Sequence, residues 1–266
     1  MTVPDLHIAV LQMDIAWQSP QHNMQCVAQW LARHHDADVC LLPEMWTTGF
    51  VVDPAGQADA TGEALRCMQA WAAQYRMALC GTVATQLPAE SNEAKPPRYV
   101  NRMYFVTPQG DVTIYDKRHL FSMGGENRHY TAGSQRVVAT CCGMRFLLLT
   151  CYDLRFPVWI RNRGDYDALL IAANWPQARR RVWDVLLQAR ALENQCYVVA
   201  ANRVGDDPTA HYNGGSCIID PKGKMLAAAD DDMQQCIAAT LSRERQSAFT
   251  DKFNTLADAD SFNIIS

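Results

Sequence analysis

Two short apolar runs stop abruptly at reactive polar side chains: V-C-L-L-P-E at 39–44, ending in Glu44, and F-L-L-L-T-C at 146–151, ending in Cys151. Further apolar strands are predicted at 7–13 and 77–83. Met24, Val27, Ala28 and Leu31 recur at helical spacing and place a helix over 23–33, with another over 62–74. Strand and helix therefore alternate, which points to a layered α/β protein.

The pattern changes in the middle of the chain. Residues 86–98 are polar, contain Pro96-Pro97 and read as a loop. Apolar stretches at 99–107 and 112–115 flank Pro108-Gln109-Gly110, a hairpin signal, and a second hairpin is predicted around Gly143, between 136–141 and 145–150. Strands at 167–173 and 195–201 surround a helix at 180–194. Strands at 216–219 and 224–228 flank Asp220-Pro221-Lys222-Gly223, followed by a strand at 235–240 and a short helix near 241–246. Hairpins mixed with α/β units predict a sandwich of mixed sheets with helices outside. No linker divides the chain, so one domain over 1–266 is expected. The aromatic tail (Phe249, Phe253, Phe262) is expected to pack back on that domain or across a subunit interface.

Charge removes one class of partner. The formal net charge is -4, and the local cluster Arg179-Arg180-Arg181 does not make a basic stripe, so nucleic acid is not an expected partner. The N-terminal residues lack the pattern of a secretory signal, and no run approaches the roughly 20 apolar residues of a membrane span. The ten cysteines include no C-x-x-C pair, which argues against a redox dithiol or a common zinc site. A reducing cytoplasm is expected, with no metal and no cofactor.

Loops at strand ends hold side chains on rigid supports. Cys151 reads alone as a buried thiol, one of ten cysteines, but it sits where a strand ends and a helix follows several residues later, a placement able to expose sulfur and to aim backbone N–H groups at developing negative charge. A thiol with an ordinary pKa of about 8.5 is only a few per cent thiolate near neutrality, so it needs a base or a nearby cation. Glu44 is a candidate base, and reads alone more readily as a helix cap or an arginine partner. Lys117, after I-Y-D, is a candidate to stabilise carboxylate and oxyanion, and reads alone as a surface lysine. Glu126, in G-G-E-N-R-H-Y-T-A-G, either orients that ammonium or pairs with Arg128.

These pieces resemble the carbon–nitrogen hydrolase, or nitrilase-like, superfamily. The similarity is carried in order by L-P-E at 42–44, Y-D-K-R-H-L-F at 115–121, C-Y-D-L-R-F-P at 151–157, A-N-W-P at 173–176, A-R-A-L-E-N-Q at 189–195 and N-G-G-S at 213–216. The resemblance implies a four-layer α-β-β-α sandwich and a homodimer. It implies Cys151 as nucleophile, Glu44 as general base and acid, Lys117 as transition-state stabiliser, the Tyr152 N–H as a second oxyanion donor and Glu126 as an auxiliary glutamate. Within the superfamily the chain is most similar to omega-amidases acting on 2-oxoglutaramate. Carbamoyl hydrolases often carry a glutamate soon after the F-P pair, and here Val158 follows Pro157.

The expected substrate is a small amide with a distant carboxylate. Arg155 is a candidate counterion, although pairing with Asp153 or Glu193 is the alternative, and Arg179 and Arg180 are further candidates. Trp46, Phe50, Tyr152 and Trp175 are candidate pocket walls. The competing functions are an amidase or carbamoyl hydrolase with another small substrate, and a non-enzymatic oligomerisation module.

Overall fold

In β1 (Leu6–Gln12), Leu6, Ile8 and Val10 join one apolar core while Ala9 and Leu11 join another. Successive side chains of a strand point to opposite faces, so this strand belongs to a sheet buried on both sides. The computed structural model describes residues 5–89 and 96–264. After β1 come α1 (Pro20–Leu31), β2 (Val39–Leu41), α2 (Glu63–Tyr75), β3 (Ala78–Gln86), β4 (Tyr99–Val106) and β5 (Val112–Asp116). The second half has β6 (Val138–Cys141), β7 (Met144–Thr150), α3 (Pro157–Ile160), β8 (Ala168–Ala173), α4 (Arg180–Asn194) and β9 (Tyr197–Asn202). It continues with β10 (Val204–Asp206), β11 (His211–Asn213), β12 (Cys217–Ile219), β13 (Met225–Ala228), β14 (Gln235–Leu241) and α5 (Arg243–Lys252).

Among the described residues the strands form two six-stranded sheets, ordered β14-β1-β2-β3-β4-β5 and β13-β12-β9-β8-β7-β6, and a separate two-stranded pair of β10 and β11. Each six-stranded sheet has three parallel strands at its centre, β1-β2-β3 and β7-β8-β9, with antiparallel strands outside. Both sheets contribute to the core between them: Ile8, Leu41 and Phe105 from the first, Phe146 and Leu170 from the second. Phe105 and Phe146 stack across it with ring centroids 5.9 Å apart. Truncating a buried leucine there, such as Leu149→Ala, would cost about 2–5 kcal/mol.

Helices cover the outer faces. Met24, Val27 and Leu31 of α1 and Ala64, Met68 and Ala72 of α2 pack on the outer side of the first sheet. Trp183, Leu187 and Ala191 of α4, spaced one helical turn apart, are buried with the second sheet. The result is the α/β sandwich of mixed sheets expected from the alternation.

Several expected ends move for local reasons. Pro20 begins α1 because a helix start leaves its missing N–H without consequence. The last helix begins at Arg243, not 241, because Ser242 accepts from the Arg245 N–H while Leu241 still pairs with Leu6 in the sheet. Of the expected loop, Gln86 closes β3, and residues 90–95 lie outside the described residues. The tail folds against its own chain: Gln195 Nε2 donates to the Phe253 carbonyl, and the Arg163 guanidinium lies 5.1 Å from the Phe262 ring. No helix among the described residues is long and apolar enough to cross a membrane.

Candidate active site

Three central parallel strands, β2, β7 and β8, and the antiparallel edge strand β5 end at one rim, and polar residues that follow them meet there. Glu44 follows β2, Lys117 follows β5, Cys151 follows β7 and Asn174 follows β8. The Glu44 N–H donates to the Ala173 carbonyl at 3.4 Å, so the loop after β2 touches the end of β8 in the opposite sheet directly. Lys117 donates from Nζ to Glu44 Oε1 at 2.9 Å and to Glu126 Oε1 and Oε2 at 3.1 and 2.9 Å. None of these three side chains reaches solvent.

Both carboxylates accept further hydrogen bonds. Glu44 Oε2 accepts from the Asn174 N–H at 2.9 Å, and Glu126 Oε2 accepts from the Phe121 N–H at 2.6 Å. Asn101, on β4, donates from Nδ2 to Glu44 Oε1 at 2.7 Å and to Glu126 Oε1 at 3.1 Å. Burial pulls the Lys117 ammonium toward neutrality, but the Glu126 and Glu44 carboxylates outweigh it and hold its pKa well above the ordinary value. Burial raises the Glu126 carboxyl, against the opposing pull of Lys117. Lys117 is therefore a fixed cation.

Cys151 opens a 3-10 turn (Cys151–Arg155) with φ of +45°. A non-glycine residue in that region stores about 1–3 kcal/mol of strain, and the surroundings must hold it there. Asp153, wholly buried, does so: its Oδ2 accepts from the Thr150 N–H at 2.9 Å and the Tyr115 hydroxyl at 2.7 Å. Its Oδ1 accepts from the His119 N–H at 3.0 Å. One carboxylate thus joins the cysteine turn to the segment on either side of Lys117. Arg190 of α4 adds a brace by donating to the Leu154 carbonyl at 2.8 Å. Burial first, then the Glu44 carboxylate, holds the Cys151 thiol well above its ordinary pKa, with Lys117 opposing. The resting sulfur is a thiol, and a base must take its proton as it reacts.

A pocket of about 560 Å³ opens onto Cys151 and Lys117. Phe50, Tyr152 and Trp175 line it, as do Arg155 and Arg179. The Arg155 guanidinium sits 4.8 Å from the Trp175 ring and 5.9 Å from Tyr152, and that of Arg179 sits 5.2 Å from Phe121. Neither has a carboxylate partner among the described residues. A cavity of about 580 Å³ lies under the C-terminal tail, away from this chemistry.

The carbon–nitrogen hydrolase family model matches residues 7–250. The chain belongs to that family. It is an enzyme of the carbon–nitrogen hydrolase class, as its motifs imply. It is 42% identical over 263 residues to omega-amidase YafV of Escherichia coli K12, covering 98% of this chain and all of that one. It is 36% identical to a 2-oxoglutaramate amidase of Bacillus subtilis, covering 83% of this chain and 85% of the relative. A crystal structure of XC1258 from Xanthomonas campestris, a CN-hydrolase superfamily protein with an arsenic adduct in its active site, superposes with a TM-score of 0.91. That match is 36% identical and covers 98% of this chain and 99% of the other.

Two expected pocket residues lie elsewhere. Trp46 is fully buried in the core under α1 and α2, 6.1 Å from the Trp71 ring, because the chain turns at Met45 (φ +43°) and sends the indole behind the sheet. A Cβ on Gly81 would stand 2.8 Å from Leu42 Cβ and 3.0 Å from the Trp46 ring, so glycine makes room for it. Arg180 is likewise no pocket residue: it pairs with Asp184 at 2.8 Å and Asp231 at 2.7 Å, fastening the start of α4. The alternative pairings of Arg155 are also absent, since Asp153 is occupied as described and Glu193 pairs with Arg190. Glu126 faces Lys117, not Arg128.

Sequence reasoning missed the short hairpin of β10 and β11, whose residues Thr209 to Tyr212 form one pocket wall. It also missed Asn101 and Asn174 as partners of Glu44. Each left a faint signal: a lone asparagine inside or just after an apolar strand.

Proposed function

We propose that the protein is an omega-amidase that hydrolyses the terminal amide of a short 2-oxo dicarboxylic acid monoamide, 2-oxoglutaramate or 2-oxosuccinamate, to the 2-oxo acid and ammonia. The observation that carries the substrate class is a pocket ending at Cys151 and Lys117 whose wall presents two guanidinium groups, Arg155 and Arg179, that have no carboxylate partner among the described residues. Such groups match the distant carboxylate of that substrate. The similarity to relatives named omega-amidase and 2-oxoglutaramate amidase supports the same reading. Ten free cysteines support a reducing compartment. A homodimer is proposed from the family resemblance, and sedimentation tests it.

Glu44 takes the Cys151 proton as sulfur attacks the amide carbonyl. The Lys117 ammonium and the Tyr152 N–H, a first-turn donor with no intrahelical acceptor, stabilise the oxyanion. Protonated Glu44 donates to the leaving nitrogen, ammonia departs and a thioester remains. Water then attacks it with Glu44 as base, the acid leaves and the thiol is restored. Two acyl-transfer steps replace one harder direct hydrolysis. Glu126 holds Lys117 in place from the far side.

Ammonia release from 2-oxoglutaramate, glutamine, a simple nitrile and an N-carbamoyl amino acid tests this reading, with Cys151→Ala as control. Cysteine-dependent turnover of 2-oxoglutaramate well above the others is expected. Turnover of another compound instead would keep the hydrolase and refute the substrate.

A further inference from the structure

The hairpin of β6 and β7 turns on two residues, Cys142 and Gly143, both with positive φ, +49° and +75°. A two-residue turn of this kind favours Asn-Gly, because both positions are left-handed. Cysteine in the first position works against the turn. Cys141 precedes it as the last residue of β6, opposite Met144. Neighbouring side chains of a continuing strand point to opposite faces, which would hold two adjacent sulfurs apart. The left-handed backbone at Cys142 brings them together instead, with the Sγ atoms 3.6 Å apart. Arg243, at the start of α5, fixes the turn by donating to the Gly143 carbonyl at 2.8 Å.

Two adjacent thiols can close a disulfide or share a third atom, and spacing decides between them. The Cα atoms of neighbouring residues stand about 3.8 Å apart, below the roughly 4.4 Å at which ordinary disulfides begin, so a direct bond here is strained. Two sulfurs held by one soft centre, with bonds of about 2.3 Å and an angle of about 100°, stand about 3.5 Å apart. The observed 3.6 Å matches the second arrangement.

The number of available ligands then selects the centre. A closed zinc site takes four protein ligands. Among the described residues, no group of three or more His, Cys, Asp or Glu side chains is placed to hold a metal. A trivalent arsenical needs only two thiols, because it brings its third substituent with it. Cys142 is exposed and Cys141 half-buried, so the pair is reachable from solvent. Burial and the Cys142 sulfur push the Cys141 thiol up to about 12. That proton does not obstruct the reaction, since the oxygen on arsenic takes it.

We propose that Cys141 and Cys142 form a dithiol site for a trivalent arsenical, separate from Cys151. The hairpin and Cys151 lie at opposite ends of β7, whose seven residues span about 20 Å. With an arsine oxide, two S–H bonds and the arsenic–oxygen double bond break, two arsenic–sulfur bonds form, and the oxygen leaves with both protons as water. Arsenic stays trivalent and nothing is oxidised. The second bond closes within one molecule, which favours this pair over a single thiol such as Cys151 by roughly 10²-fold or more. The site does not depend on the identity of the amide substrate.

The test is intact-mass analysis of the reduced full chain after one equivalent of phenylarsine oxide, with 2-mercaptoethanol added stepwise as a competing monothiol. One phenylarsenic group per chain is expected in wild type and in Cys151→Ala, mapped to the peptide that holds Cys141 and Cys142. Cys141→Ser, Cys142→Ser and Cys142→Asn should each release it at monothiol concentrations about 10²-fold lower. Asparagine suits the left-handed turn, so Cys142→Asn separates loss of the thiol from loss of the hairpin. An adduct that survives equally in Cys142→Asn, that disappears in Cys151→Ala, or that never forms in wild type overturns the proposal.

Discussion

The Lys117 ammonium donates to Glu44 Oε1 at 2.9 Å, and neither side chain reaches solvent. Breaking such a pair strands the surviving charge in the interior, at a cost of about 3–5 kcal/mol. Lys117→Met should therefore lower stability to denaturant by that order. Loss of an oxyanion donor should lower kcat by roughly 10²–10³. The sign with pH follows from a folded pKa raised above the unfolded one: the stabilisation is complete below the lysine's unfolded pKa, about 10.4, and is lost as pH rises through the higher folded value. Wild type should thus keep this contribution throughout the neutral range. A variant with unchanged unfolding and a defect confined to KM would refute both roles.

Glu44 and Cys151 were legible because a buried strand must stop somewhere, and a polar residue at the stop lies on a rim. Lys117 was legible for the same reason, at the end of a hairpin strand. What brings the three together is pairing between segments far apart in the chain, such as Gly81 opposite Tyr104 and Leu148 beside Leu170, and no local pattern encodes it. Asn101 illustrates the gap: alone it is a polar interruption in an apolar strand, and only the sheet places its amide between two acids. Trp46 shows the converse. Two residues after Glu44 it reads as a pocket wall, but one left-handed residue at Met45 reverses its direction. The strands β10 and β11 are three residues each and largely polar, too short for alternation to register.

Arg155 and Arg179 should govern binding more than chemistry. Each guanidinium rests on an aromatic ring and has no carboxylate partner among the described residues. Arg155→Met or Arg179→Met should raise KM for 2-oxoglutaramate about 10-fold or more, the range of one charged hydrogen bond, with a smaller effect on kcat. A neutral alkyl amide of similar size should show no such change. Equal losses for charged and neutral amides would mean that the arginines only shape the pocket.

The raised pKa of Cys151 predicts how the site depends on its base. Burial and the Glu44 carboxylate hold the thiol protonated at neutral pH, so reaction there requires proton transfer at the moment of attack. Glu44→Gln should slow the acylation burst and the following thioester hydrolysis together, and leave activity that climbs with pH as hydroxide replaces the base. Pre-steady-state ammonia release across pH 6–10, an assay window of about this width around the ordinary thiol pKa, reads both phases. A normal burst in Glu44→Gln would exclude it as the base.

Asp153 should matter through geometry without touching substrate. Its two oxygens accept from Thr150, Tyr115 and His119, which join the strained Cys151 turn to the residues around Lys117. Asp153→Asn replaces one acceptor oxygen with an NH2 group that faces donors, so at least one of these bonds is lost whichever way the amide turns. The left-handed conformation of Cys151 then loses its restraint, and sulfur and ammonium no longer hold a fixed separation. A misplacement of about 1 Å costs on the order of 10² in rate, so kcat per active site should fall by that order with KM less affected. Titrating active sites by acyl-enzyme burst removes the contribution of unfolded protein. Tyr115→Phe, which removes a single donor, should give a smaller defect of the same kind. If Asp153→Asn lowers only the fraction of active sites, with normal kcat in those that remain, the carboxylate serves folding alone.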